Sequence, residues 1–187
     1  MDISVPHVMR EASVRGEVAT RGKQDRSGTA QYLTFHAAQA TYAMGIGTIR
    51  EIIEYGSITT IPLMPAFIRG VINLRGAVVP VIDLAARLGF PPAAPSRRTC
   101  IVIVEMGHED EVFEMGLVVD GVSEVLELSP NDLEPPPTFG ANIRSDFIQN
   151  MARIHGNFVI VMRLEQVLSI DEVSHLARMG QSPDGRE

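Results

Sequence analysis

Five histidines, one cysteine and a scatter of carboxylates are the groups in this sequence able to bind a metal, attack a carbonyl or move a proton. His7, His36, His108, His155 and His175 show none of the close spacings that wrap imidazoles around one ion. Cys100 stands alone inside the apolar run from Thr99 to Met106, where it reads as a small buried hydrophobe. No phosphate-cradling GxxxxGK loop, no GxSxG elbow and no kinase ATP-binding signature occurs. Asp83 and Asp120 fall near strand ends, where catalytic acids sit, but the residues around them suit turns and helix starts, which favours capping. The expectation is a protein with no catalytic site, no metal and no cofactor, and so not an enzyme.

Two other charged residues stand out. Arg75 lies in Leu74-Arg75-Gly76 between apolar runs, where the glycine supplies the positive φ of a tight connection and displays the arginine. Glu51 is the only acid in Ile49-Arg50-Glu51-Ile52-Ile53, and a carboxylate beside so much apolar surface calls for a partner. Arg69 and Gly70 open the run before Arg75; a residue without a side chain there lets another backbone approach, or simply begins a strand. Ile49, Ile52 and Val71 can line an apolar groove or serve as ordinary core.

The composition limits the partners. A net charge of −7 repels phosphate backbones, and with aromatic residues at 5% and no tryptophan there is little to stack on bases. A small-barrel nucleic-acid module is the competing reading that this disfavours. Apolar stretches fall far short of the roughly 20 residues that cross a bilayer, so no direct membrane insertion is expected. A single cysteine and the absence of a secretory signal point to the cytoplasm. Residues 1–29 are too polar to order themselves and read as a flexible extension, 30–178 as the folded domain, and 179–187 as a disordered tail.

Short Val- and Ile-rich runs bounded by Gly, Pro, Asn or Asp make the domain mostly β. Strands are expected at Gln31–His36, Thr41–Ile46, Gly70–Leu74, Ala77–Ile82, Thr99–Met106, Val112–Val119, Val122–Leu128 and Phe158–Arg163. Short helices are expected at Asp83–Leu88, Glu165–Leu168 and Asp171–Arg178. Pro80 cannot donate to a ladder, so its strand should lie at an edge or carry a bulge there.

The sequence also repeats. Tyr42-Ala43-Met44-Gly45-Ile46 matches Phe113-Glu114-Met115-Gly116-Leu117 at an offset of 71 residues, and Ile49 to Glu54 matches Val122 to Glu127 at 73, as if two residues had been inserted between the blocks. Gly76 to Leu84 matches Gly156 to Leu164 at 80. Two copies of one strand order, each curled into a small barrel, would hide most edges and bury a shared seam.

The segment from Pro65 to Leu84, PAFIRGVINLRGAVVPVIDL, resembles the signature of CheW coupling proteins, as do Arg50-Glu51-Ile52, Gly116 to Val122 and Glu165-Gln166-Val167-Leu168. The resemblance spans roughly Gln31 to Met179. It implies two intertwined five-stranded SH3-like β-barrels in one CheW-like domain, with short helices. It further implies a cytoplasmic adaptor, recruited to membrane receptor arrays, that joins a chemoreceptor signalling tip to the regulatory domain of a CheA-type histidine kinase; a related adaptor for gliding or pilus motility would fit the same pattern. Through it, Arg75 becomes the partner of Glu51 at the edge of a receptor-binding groove, with Arg69, Gly70, Ile49, Ile52 and Val71 around it. The plainer reading of that pair is a solvated surface ion pair worth roughly 0–1 kcal/mol. This chain departs from the family pattern in the uncharged, glycine-rich Gly45 to Ile49, in the acidic His108 to Glu111 loop, and in its longer leader.

Overall fold

The computed structural model describes residues 28–92, 94–108, 110–136 and 145–168. The expected helix at Asp171–Arg178, the tail, and the leader up to Ser27 lie outside these residues. The described chain forms β1 (Ala30–Ala37), β2 (Ala40–Gly45), β3 (Ile49–Glu54), β4 (Ile68–Leu74), β5 (Ala77–Asp83), α1 (Leu84–Arg87), β6 (Cys100–His108), β7 (Glu111–Val119), β8 (Gly121–Leu128), β9 (Leu133–Glu134), β10 (Ile148–Ile154), β11 (Asn157–Met162) and α2 (Leu164–Val167).

One sheet has the order β3-β6-β7-β5-β4 and the other β8-β1-β2-β11-β10-β9. Both curl towards closure by the same device. In the first, Thr59, downstream of edge strand β3, pairs with Val71 on the opposite edge strand β4. In the second, β9, downstream of β8, pairs with β10. The architecture is therefore two small barrels, and they exchange strands. β1–β5 form the first repeat and β6–β11 the second, yet each barrel joins the later strands of one repeat to the first two of the other. The chain crosses between barrels at the 3-10 turn Ile46–Thr48 and again at Asp120.

Alternation along the exchanged strands explains where the core sits. Cys100, Val102, Val104 and Met106 of β6 face a large cluster shared with Leu33, Phe35, Tyr42 and Met44 of the other barrel, whereas Ile101 and Ile103 point into the first barrel. The barrel interiors are smaller: Ile72, Val79, Val81, Ile101, Ile103 and Val118 in one, and Ala43, Leu128, Ala152, Val159 and Val161 in the other. A period of two sends every second side chain to the seam and the rest inward.

Pairing corrects the repeat offset read from sequence. Val81 pairs with Gly116 and Val161 with Ala43. Val81 and Val161 are equivalent at 80 residues, so Gly116 corresponds to Ala43 and not to Gly45. The offset is 73 residues here as in β3 and β8, and nothing is inserted between the blocks. The Tyr42/Phe113 match at 71 is a slip of two, which leaves every side chain on its own face and so escapes the hydrophobic pattern.

Three strands were not expected, among them the two-residue β9. β3 follows β2 through the short 3-10 turn, and β10, with the sequence IQNMARI, carries too few β-branched residues to announce itself. The Pro80 expectation needs correction too: β5 is internal to its sheet, flanked by β4 and β7. Pairing with β7 begins only at Val81, so Pro80 has β4 alone beside it, and the bulge of that ladder lies at Arg69 on the partner strand.

Candidate functional site

The β4–β5 connection is a two-residue turn closed by the Leu74↔Ala77 pair, with Arg75 at φ 51° and Gly76 at φ 85°. Positive φ at both central residues defines the type I′ turn whose twist matches the flanking strands. The Asn73 side-chain oxygen accepts from the Gly76 amide at 2.9 Å, which braces the turn. Arg75 is thereby displayed on a rigid mount. Its two terminal nitrogens donate to the two carboxylate oxygens of Glu51 on β3, Nη1 to Oε2 at 3.4 Å and Nη2 to Oε1. The Glu51 hydrogen bonds and charge raise the pKa of the guanidinium above its ordinary value. The pair expected between Glu51 and Arg75 is formed.

A second ionic cluster adjoins it. Arg50, the bulge residue of β3, places Nε 3.0 Å from Glu105 and 3.6 Å from Glu114. Glu105 and Glu114 are direct cross-strand partners on β6 and β7. These three residues were missed in the sequence. Counting back along the β6–β7 hairpin from the His108↔Glu111 pair would have set the two acids opposite each other.

The remaining candidates divide between surface and scaffold. Arg69 donates from Nε to Oδ2 of the fully buried Asp83 at 2.9 Å, with Nη2 2.8 Å from the same oxygen. Asp83 also accepts from the Ala86 amide at 3.1 Å, the expected helix cap. Arg69 thus anchors the start of α1. The backbone that approaches Gly70 belongs to this chain: at φ 143°, a Cβ there would lie 2.0 Å from the Thr59 carbonyl oxygen. Val71 exchanges both backbone hydrogen bonds with Thr59 at 2.9 Å. Ile49 and Ile52 are partly buried and pack on the shared seam from edge strand β3, adjacent to Glu51.

The second barrel repeats the first site with different chemistry. His155 and Gly156, at φ 50° and 80°, form the same turn between Ile154 and Asn157, and His155 Nε2 lies 3.7 Å from Glu124 Oε1. Glu124 and His155 correspond to Glu51 and Arg75 at offsets of 73 and 80. The repeat already matched Glu51 with Glu124, and Arg75 and His155 lie one residue before the matched Gly76 and Gly156.

Among the described residues no group of three or more His, Cys, Asp or Glu side chains is placed to hold a metal ion. Cys100 is buried in the seam, where desolvation pushes its thiol pKa to about 11. No described helix is long and apolar enough to cross a membrane.

Fold and surface together define the class: a doubled, strand-exchanged β-barrel scaffold presenting ionic clusters. The CheW-like domain family matches residues 31–172. The chain is 32% identical over 146 residues to the chemotaxis protein CheW of Rhizobium meliloti, covering 78% of this chain and 92% of that protein. With the chemotaxis protein CheW of Klebsiella aerogenes it shares 29% over 152 residues, 81% of this chain and 89% of the other. The crystal structure of the scaffolding protein TtCheW from Thermoanaerobacter tengcongensis is similar with a TM-score of 0.68 at 34% identity, covering 76% of this chain and 94% of that one. The chain belongs to the CheW-like domain family.

Proposed function

We propose that this protein is a non-catalytic chemotaxis adaptor that couples the cytoplasmic signalling tip of chemoreceptors to the regulatory domain of a CheA-type histidine kinase, in the cytoplasm at membrane receptor arrays. The observation that carries the reading is the Glu51–Arg75 pair. A guanidinium fixed by a carboxylate on one side and a type I′ turn on the other is pre-organised, so a partner that engages it loses little side-chain entropy. Ile49 and Ile52 give apolar surface beside it. Arg69, Gly70 and Val71 support the site from beneath by holding β4, α1 and Thr59 together.

The test is reconstitution with receptor cytoplasmic fragments and the cognate kinase. Wild-type protein is expected to support receptor-dependent kinase activation, and Arg75→Glu, which sets two carboxylates against each other, to lose it while keeping the wild-type circular dichroism spectrum and melting temperature. Full activation by a folded Arg75→Glu protein would remove Arg75 from the site. A nucleic-acid reading requires salt-dependent binding to oligonucleotides, against the net charge of −7.

A further inference from the structure

The surface that surrounds Glu51 and Arg75 sets two like charges side by side and bridges them with an arginine. Glu105 and Glu114 face each other directly across β6 and β7, and like charges in that position destabilise a sheet. Arg50 lies within ion-pair distance of both, from the neighbouring strand β3. Next to it in sequence, Glu51 holds Arg75, and the charge of Glu114 also acts on Arg75. Three carboxylates from three strands therefore converge on two arginines.

Exposure within the cluster is uneven. The side chains of Arg50 and Arg75 are 55% and 70% exposed, whereas those of Glu105, Glu114 and Glu51 are 36%, 27% and 24% exposed. The acids sit lower and the guanidinium groups stand above them. On a chain with a net charge of −7, this patch presents its cations outward. A guanidinium whose one edge is held by a fixed carboxylate still has donors on its other edge, in a planar fork that fits a second carboxylate.

We propose that Arg50 is a second partner-reading arginine, positioned by Glu105 and Glu114, and that Arg50 and Arg75 together recognise carboxylate side chains on an acidic segment of a protein partner. This rests on the adaptor reading above and deepens it: the partner segment at this surface is the receptor signalling tip. Glu105 and Glu114 are positioning residues, and their mutual repulsion is offset by the cation they aim. Phosphate would also fit an arginine fork, and the oligonucleotide arm of the experiment separates it from a carboxylate.

The experiment measures binding of the full chain to the receptor cytoplasmic fragment as a function of salt, for wild type, Arg50→Glu, Arg50→Lys, Arg75→Glu and the double variant Glu105→Gln/Glu114→Gln. Arg50→Glu is expected to weaken binding about tenfold or more, the scale of losing a charge-assisted hydrogen bond. Arg50→Lys should recover only part of that loss, because an ammonium has no fork. The double glutamine variant should bind more weakly at low salt although its net charge is less negative, an outcome that general electrostatics does not produce. The dependence of log Kd on log salt should become shallower in Arg50→Glu; its melting temperature should fall, because three carboxylates then meet, but stay above the assay temperature, so that the lost binding is read on folded protein.

Wild-type affinity and salt slope in Arg50→Glu, with binding lost in Arg75→Glu, would overturn the role of Arg50 and leave the adaptor reading standing. Unchanged binding in both variants would overturn both. Tighter binding by the double glutamine variant would overturn positioning by the acids. Arg50-dependent binding to a single-stranded oligonucleotide, without Arg50-dependent receptor binding, would assign the arginines to phosphate and overturn the proposal.

Discussion

Arg87 donates from Nε to the carbonyl oxygen of Val167 at 2.6 Å, and Val167 is the residue equivalent to Arg87 in the second repeat, 80 positions on. The guanidinium lies 4.8 Å from the ring centroid of Phe67 and 5.7 Å from that of Phe147, two residues that are themselves equivalent. One cation from one repeat thus closes the seam against the matching elements of both. The acceptor also sits at the C-terminal end of α2, where helix carbonyls lack intrahelical donors.

Arg87→Ala is therefore expected to lower the unfolding free energy by about 2 kcal/mol, through loss of a charged hydrogen bond and two cation–ring contacts. Arg87→Lys should restore a minority of it, because an ammonium cannot lie flat between the rings and donate along the same line. Urea unfolding of the three proteins checks this, and identical midpoints would show that the seam closes without the guanidinium.

Gly116 is the tight point of the first barrel. A Cβ there would lie 2.7 Å from Ile101 Cγ2 and 3.3 Å from Val81 Cγ2, whereas the equivalent Ala43 fits fully buried in the second barrel. Gly116→Ala is expected to destabilise by about 1–3 kcal/mol through overpacking. Gly45→Ala, where nothing lies within 4 Å of the added carbon, should change stability by less than about 0.5 kcal/mol. Equal effects of the two substitutions in thermal unfolding would contradict the packing described here.

Asp83 joins two elements at once, capping α1 through the Ala86 amide and holding Arg69, with its own side chain fully buried. Asp83→Ala leaves the Arg69 guanidinium partly buried without this carboxylate and should cost about 3–5 kcal/mol. Asp83→Asn keeps a capping oxygen and should cost less. Denaturant titration ranks the two variants, and the reverse order would place the main role of Asp83 elsewhere.

Cys100 supplies a pH prediction. Burial raises its thiol pKa from 9.0 to about 11, so the native state holds the proton more tightly than the unfolded chain does. The resulting contribution to stability is complete below pH 9 and is lost as pH rises through about 11. A thiol reagent at pH 8 should leave the native protein unlabelled and label one site per chain in denaturant. Cys100→Val should flatten the loss of stability across that alkaline window, and rapid native-state labelling would show the seam to be open.

Much of the architecture was legible as pattern. The repeated strand order, the Arg75-Gly76 turn, the Asp83 cap and the burial of Cys100 each follow from a local rule: β-branched runs, a glycine able to adopt positive φ, an acid before a helix, a thiol amid valines and isoleucines. The Glu51–Arg75 partnership came from family resemblance, since no local rule joins residues on different strands. β10 was missed because its stability comes from pairing with β11 and β9 and not from its own residues.

Sequence alone determined that the chain is a duplicated β structure without a recognisable catalytic or metal motif, because side-chain alternation and turn chemistry are local properties that one strand carries by itself. Tertiary structure alone decided which strands are exchanged between barrels, the two-residue correction to the repeat, the approach of Thr59 to Gly70, and the gathering of Arg50, Glu105 and Glu114 beside Arg75. Those are facts of register and closure. A strand shifted by two residues shows the same faces, so only its partners reveal where it lies.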